Sequence, residues 1–157
     1  GLPVTIRLLD PPLHEFLPHS EQDIREFSKR VGWDENRVRA KVRNLHEFNP
    51  MLGHRGCRLA ITYPEIYQMQ ARAIAEATIN LIKKGKKPMP EIMIPLVGMK
   101  EELKRLRRLV EVEVERVTND MAQKFQVAIG TMIELPRAAL IADQIAEHAE
   151  FFSFGTN

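Results

Sequence analysis

Arg7 sits inside a short apolar run, Pro3-Val4-Thr5-Ile6-Arg7-Leu8-Leu9. A guanidinium among apolar neighbours must be paired or face a site, because an unpaired buried charge is costly. Its planar fork suits a carboxylate or a phosphate. A structural ion pair, with Asp10 or another carboxylate, meets the same need. Glu134 closes a second apolar run, Gln126 to Ile133. As a hard oxygen donor it suits Mg²⁺, which typically takes one or two carboxylates together with substrate oxygens. A cap, or an ion pair with Arg137, is the plainer role. Gly155-Thr156-Asn157 form the polar tip of a third run, Phe151-Phe152-Ser153-Phe154.

A second group clusters in Gly53-His54-Arg55-Gly56-Cys57-Arg58. Backbone N–H groups beside two arginines can bind an anion, and a solvated loop is the alternative. His54 has the chemistry of an acid–base group, but a lone loop histidine is more often a polar surface residue. Cys57 has cationic neighbours that favour a thiolate, against the commoner role of a small buried hydrophobe. Lys104, Arg105, Arg107 and Arg108 alternate with Glu101, Glu102 and Glu111, which reads as an ion-paired, solvated helix face.

The elements that position these groups follow from periodicity. Residues 3–9 read as a strand stopped by Asp10-Pro11-Pro12. Ser20-x-x-Asp23 opens a helix that carries Ile24, Phe27 and Val31 and ends at Gly32. Asp34 caps another, with Val38, Val42 and Leu45 on one face, closed by Asn49-Pro50. Residues around Cys57 read as a short strand or irregular loop. Glu65 to Lys84 is a helix whose stripe is Ile66, Met69, Ala73, Ala77 and Leu81. Glu91 to Val97 is a strand. Glu101 to Met121 is a helix with Leu103, Leu106, Val110, Val114 and Val117 inward. Gln126 to Ile133 is a strand, Pro136 to His148 a helix, and Phe151 to Phe154 a strand.

Apolar strands alternating with amphipathic helices indicate a parallel α/β fold, either an open doubly wound sheet or a (β/α)8 barrel. Function then gathers at the C-terminal ends of the strands, where Arg7, Glu134 and residues 155–157 lie. Strand parity puts Gly130 and Met132 on the face of Glu134, and Ser153 and Gly155 on the face of Asn157. That smaller, more polar face would line the barrel interior. Ile129, Ile133, Phe152 and Phe154 would meet the helices.

Composition narrows the class. The 157 residues are 44% hydrophobic and 28% charged, a globular balance. A formal net charge of +2 with interleaved signs offers no basic patch for nucleic acid. No apolar run approaches the ~20 residues of a membrane span. The single cysteine excludes an internal disulfide and fits a reducing cytosol or a plastid. No Gly-rich nucleotide fingerprint follows a strand.

Five segments, in order, carry a resemblance. They are Gly1 to Phe16, Asn49 to Arg58, Glu91 to Leu96, Gly130 to Leu140, and Phe151 to Asn157. Together they resemble the pyruvate, phosphate dikinases within the PEP-utilising enzymes. PEP synthase and Enzyme I of the sugar phosphotransferase system share the last two motifs loosely. The resemblance implies part of a (β/α)8 TIM barrel, about five of eight strands, binding pyruvate or PEP across residues 1–157. It implies that a phosphohistidine on a separate swivelling domain delivers its phosphoryl group to the enolate of pyruvate. The whole reaction would convert ATP, phosphate and pyruvate to AMP, diphosphate and PEP with Mg²⁺, in a homodimeric enzyme.

By the same resemblance, Arg7 binds the substrate's phosphate or carboxylate, and Arg55 is a second active-site arginine on the phosphoryl path. Glu134 is a Mg²⁺ ligand, and Gly155, Thr156 and Asn157 contact the substrate carboxylate. The family's second Mg²⁺-binding aspartate would follow Asn157. Its proton-donating cysteine lies on a later loop, so Cys57 is not its counterpart. No histidine here, whether His14, His19, His46, His54 or His148, matches the phosphohistidine motif. The expectation is therefore a fragment, inactive alone. The alternatives are another PEP-utilising enzyme or a non-catalytic anion-binding module.

Overall fold

The computed structural model describes residues 2–46 and 53–155, with His14 described by its backbone alone. The expected closure at Asn49-Pro50, and Thr156 and Asn157, lie outside the described residues. The chain divides into two compact units, residues 1–10 with 56–157, and residues 11–55.

The larger unit is a parallel sheet of four strands in sequence order, curled as half a barrel. The strands are β1 (Pro3–Arg7), β2 (Met89–Ile94), β3 (Ala128–Ile133) and β4 (Phe152–Phe154). Parallel neighbours need long crossovers, which helices supply. Short α3 (Gly56–Thr62) and long α4 (Pro64–Lys83) precede β2, α5 (Lys100–Asp120) joins β2 to β3, and α6 (Pro136–Leu140) with α7 (Ala142–Ala146) joins β3 to β4. Ile92 and Ile94 of β2, and Ile129 and Ile133 of β3, bury against the inward stripe of α5, Leu103, Leu106, Val110, Val114 and Val117. That stripe is the one periodicity assigns.

In the smaller unit, a turn of 3₁₀ helix at Leu13–Phe16 precedes a pair of helices, α1 (Glu21–Val31) and α2 (Glu35–Leu45). The Ser20–Asp23 capping box starts α1, and Gly32 at φ +69 ends it. Asp34 caps α2 by accepting from the N–H groups of Asn36 and Arg37. Arg39 joins the two helices through Glu21, and the Arg37 guanidinium lies 4.2 Å over the Trp33 ring.

Four expectations change. The stretch around Cys57 is the helix α3, so the described strands number four rather than five. Seven residues make barely two turns, too short for a periodic signature. The buried stripe of α4 is Tyr67, Ala71, Ala75, Thr78 and Ile79, while Met69 and Leu81 are exposed. Alanine and isoleucine occur all round this helix, so its periodicity fits two stripes, and packing against α5 and the sheet selects one. The helix 136–148 is two pieces, interrupted at Ile141 (φ −120°, ψ 26°); nothing in the sequence marks the break. Finally, Phe154 is exposed, whereas Phe152 does pack on the core.

Candidate functional site

Register fixes which side chains share a face. Arg7 pairs with Met93, Met93 with Gly130, and Met132 with Ser153. Arg7, Met93, Met132 and Ser153 therefore stand on one face, and by parity Glu134 and Gly155 continue it at the C-terminal ends of β3 and β4. The Ser153 hydroxyl donates to Met93 Sδ at 3.4 Å, so this face is continuous from β2 to β4. The opposite face holds the isoleucines of the helix-covered core. The polar face is the one the sequence assigns to the barrel interior.

At the end of β1, Arg7 Nη1 lies 3.3 Å from Asp10 Oδ2. The ion pair that the sequence offers as the plain explanation is thus formed. Arg7 stays 46% exposed by side chain while Asp10 is 8% exposed, so nearly half of the arginine side chain still faces solvent. Two residues that sequence reasoning missed hold this strand end. Tyr67 Oη donates to Leu9 O at 3.1 Å, and Gln70 Oε1 accepts from Leu9 N at 3.0 Å. Burial pushes the Tyr67 phenol well above its ordinary range, with Cys57 and Asp10 adding to the effect and Arg7 opposing it. Within a helix pattern, a tyrosine and a glutamine three apart carry no signal of that task.

Glu134 is half-buried, and its Oε1 accepts from Leu96 N at 2.8 Å. Oε2 carries no hydrogen bond among the described residues, and Arg137 does not pair with it. One carboxylate with an uncommitted oxygen fits the sparse way Mg²⁺ uses protein ligands. Among the described residues no cluster of three or more His, Cys, Asp or Glu could hold a metal. Gly155 closes against Glu134: a Cβ at Gly155 would stand 2.8 Å from Glu134 Cβ. Its N–H donates to Ile133 O at 3.0 Å, continuing the ladder.

The arginine–glycine segment commits three of its backbone donors within the fold. Arg55 N–H donates to Gly53 O, Gly56 N–H to Asp10 O and Cys57 N–H to Pro95 O. These donors are used internally. Arg55 and His54 belong to the smaller unit, and Arg58 to the larger one, on α3. Cys57 is fully buried, and its thiol donates to Leu96 O at 3.0 Å. Burial and the nearby Glu102 carboxylate push it up to about 12, so it is an inert thiol rather than a thiolate. Glu102 caps α5 by accepting from Gly98 and Met99 N–H. Arg107 pairs with Glu111 at 2.8 Å, as the interleaved charges of that face imply.

A groove of about 660 Å³ lies at the other end of the sheet, along Pro3, Met89, Gln126 and Glu150. The polar convergence of Arg7, Asp10, Glu134 and Gly155 is at the C-terminal ends of the strands, where parallel α/β folds place function. We assign the candidate site there. Among the described residues, no helix is long and apolar enough to cross a membrane.

Comparison with known proteins bears on the same residues. A family model described as "PEP-utilising enzyme, PEP-binding domain" matches residues 1–157. Pyruvate, phosphate dikinase of Clostridium symbiosum is 58% identical over 158 residues, covering 100% of this chain and 18% of that protein. The Rhizobium meliloti protein of the same name is 57% identical, with the same coverage. Pyruvate, phosphate dikinase 1, chloroplastic, of Oryza sativa subsp. japonica is 56% identical, covering 100% of this chain and 17% of that protein. The chain thus spans less than a fifth of the length of these relatives.

Proposed function

This chain belongs to the PEP-utilising enzymes, through their PEP-binding domain, and on that premise we propose that it is the substrate-binding part of a pyruvate, phosphate dikinase. The whole enzyme would convert ATP, phosphate and pyruvate to AMP, diphosphate and PEP. The observation that carries the reading is the placement of Arg7 and Glu134 on one sheet face, at the same end of a parallel half-barrel. The identities above, all to dikinases, favour this over PEP synthase or an Enzyme I.

Phosphoryl transfer needs positioning and charge neutralisation more than covalent chemistry from the protein. Arg7, half-exposed and steadied by Asp10, offers its fork to the substrate's phosphate or carboxylate. Arg55 serves the incoming phosphoryl group from a phosphohistidine carried on another domain. Gly155, Thr156 and Asn157 hold the substrate carboxylate. Glu134 would hold Mg²⁺, which when bound supplies Lewis-acid stabilisation of developing oxyanion charge. Homodimerisation and a cytoplasmic or plastid location complete the reading, the second in keeping with a chloroplastic relative.

In the full-length enzyme, Arg7→Ala is expected to lower PEP formation by about 10²-fold or more, the usual cost of removing one charge-stabilising donor. AMP release in the first turnover, which precedes transfer to pyruvate, should persist. PEP formation at the wild-type rate would overturn the assignment.

A further inference from the structure

The first residues of α3 tie together the ends of three strands. Gly56 N–H donates to Asp10 O, beyond β1, at 2.9 Å, and Cys57 N–H donates to Pro95 O, beyond β2, at 3.1 Å. The Cys57 thiol donates to Leu96 O at 3.0 Å. Leu96 N–H in turn donates to Glu134 Oε1, beyond β3, at 2.8 Å. Leu96, which makes this donation, is left-handed, with φ +60. A leucine keeps that conformation only where its surroundings impose it. Gly56, itself left-handed at φ +55, leaves the space for that turn: a Cβ there would stand 2.9 Å from Leu96 Cδ1 and 3.0 Å from Leu96 Cβ. Cys57, fully buried, holds the Leu96 carbonyl.

We propose that Gly56 and Cys57 are positioning residues for Glu134, acting through the left-handed turn at Leu96. Gly56 leaves room for the Leu96 side chain, and Cys57 holds the Leu96 carbonyl. The Leu96 N–H then fixes one oxygen of Glu134 and leaves the other for a cation. Outer hydrogen-bonding partners of this kind orient a ligand that they do not replace. The proposal rests on the reading of Glu134 as the Mg²⁺ ligand and adds the device that orients it.

The test uses Mn²⁺ as probe, read by its electron paramagnetic resonance signal in the full-length protein. The ion followed is the one whose binding Glu134→Gln abolishes. Cys57→Ala is expected to weaken it about 10-fold, the lower end of the cost of losing an outer partner. Cys57→Ser keeps a donor for Leu96 O and should recover most of that loss. Gly56→Ala should weaken binding at least as much as Cys57→Ala; if it does not fold, the Cys57 pair decides alone. Wild-type Mn²⁺ affinity in folded Cys57→Ala overturns the proposal and leaves the metal reading standing. Equal loss in Cys57→Ala and Cys57→Ser also overturns it, because packing rather than the donated bond would then be responsible. Unchanged binding in Glu134→Gln overturns the metal reading itself.

Discussion

At the scale of single residues, the site is defined by small differences in what each polar group already holds. Arg7 is paired yet half-exposed, and Glu134 has one oxygen committed. Cys57, whose neighbours in sequence are cationic, is instead a buried neutral donor. Its thiol pKa is raised from an ordinary value near 9 to about 12. A raised folded-state pKa gives stability that is complete below the unfolded value and is lost as pH rises toward the folded one. Urea unfolding should therefore show a loss of about 2 kcal/mol between pH ~8 and pH ~10.5 that Cys57→Ala lacks, at about 1.4 kcal/mol per pH unit. An alkaline slope identical in the variant would remove this account. Gly155→Ala tests the other side of the site. Its Cβ would press on Glu134 Cβ at 2.8 Å, and neither β-carbon can swing away as a flexible side-chain tip would. We expect a loss of about 2 kcal/mol, the usual scale of overpacking, together with weaker Mn²⁺ binding.

At the scale of elements, glycine placement and capping decide which segments can meet. Gly130 sits in the middle of β3 where a Cβ would fall 2.3 Å from Phe151 O and 2.7 Å from the Phe151 ring. The approach of Phe151 just before β4 depends on that missing side chain. Gly130→Ala should cost about 3 kcal/mol, toward the upper end for overpacking, because backbone must shift. Thermal unfolding measures it, and a variant as stable as wild type would contradict the geometry. In the smaller unit, Ser20→Ala breaks the capping box by removing the 3.1 Å bond that the Ser20 hydroxyl accepts from Asp23 N–H. Its cost should be about 1 kcal/mol. The cap was legible because its partners are three residues apart. The Phe151–Gly130 approach was not, because its partners are 21 residues apart and only the fold brings them together.

At the scale of the whole molecule, the larger unit presents two edge strands among the described residues, β1 and β4. β1 is exposed along its length, with Val4 at 60% and Ile6 at 36%. Unpaired apolar edges invite pairing with another chain. Residues 1–157 on their own should therefore self-associate with rising concentration in analytical ultracentrifugation, and Val4→Lys should reduce it. A strict monomer at high concentration would speak against an available edge.

The local rules were enough for much of this protein. Helix caps, the α5 stripe, the parallel alternation and the face that Glu134 shares with Gly130 and Met132 all depend on residues near one another in sequence, or on strict strand parity, whereas the register that adds Arg7 to that face comes from strand pairing. The family followed from ordered motifs across the whole chain. Tertiary structure alone decided the rest. It chose which of two equivalent stripes α4 buries, made a helix of the residues around Cys57, and broke the helix after Glu134. It also set Tyr67 and Gln70 on the end of β1 and linked Cys57 to Glu134 through Leu96. Each of those outcomes turns on partners 38 to 61 positions apart, or on packing that no local period encodes, so only the folded chain could bring them into contact.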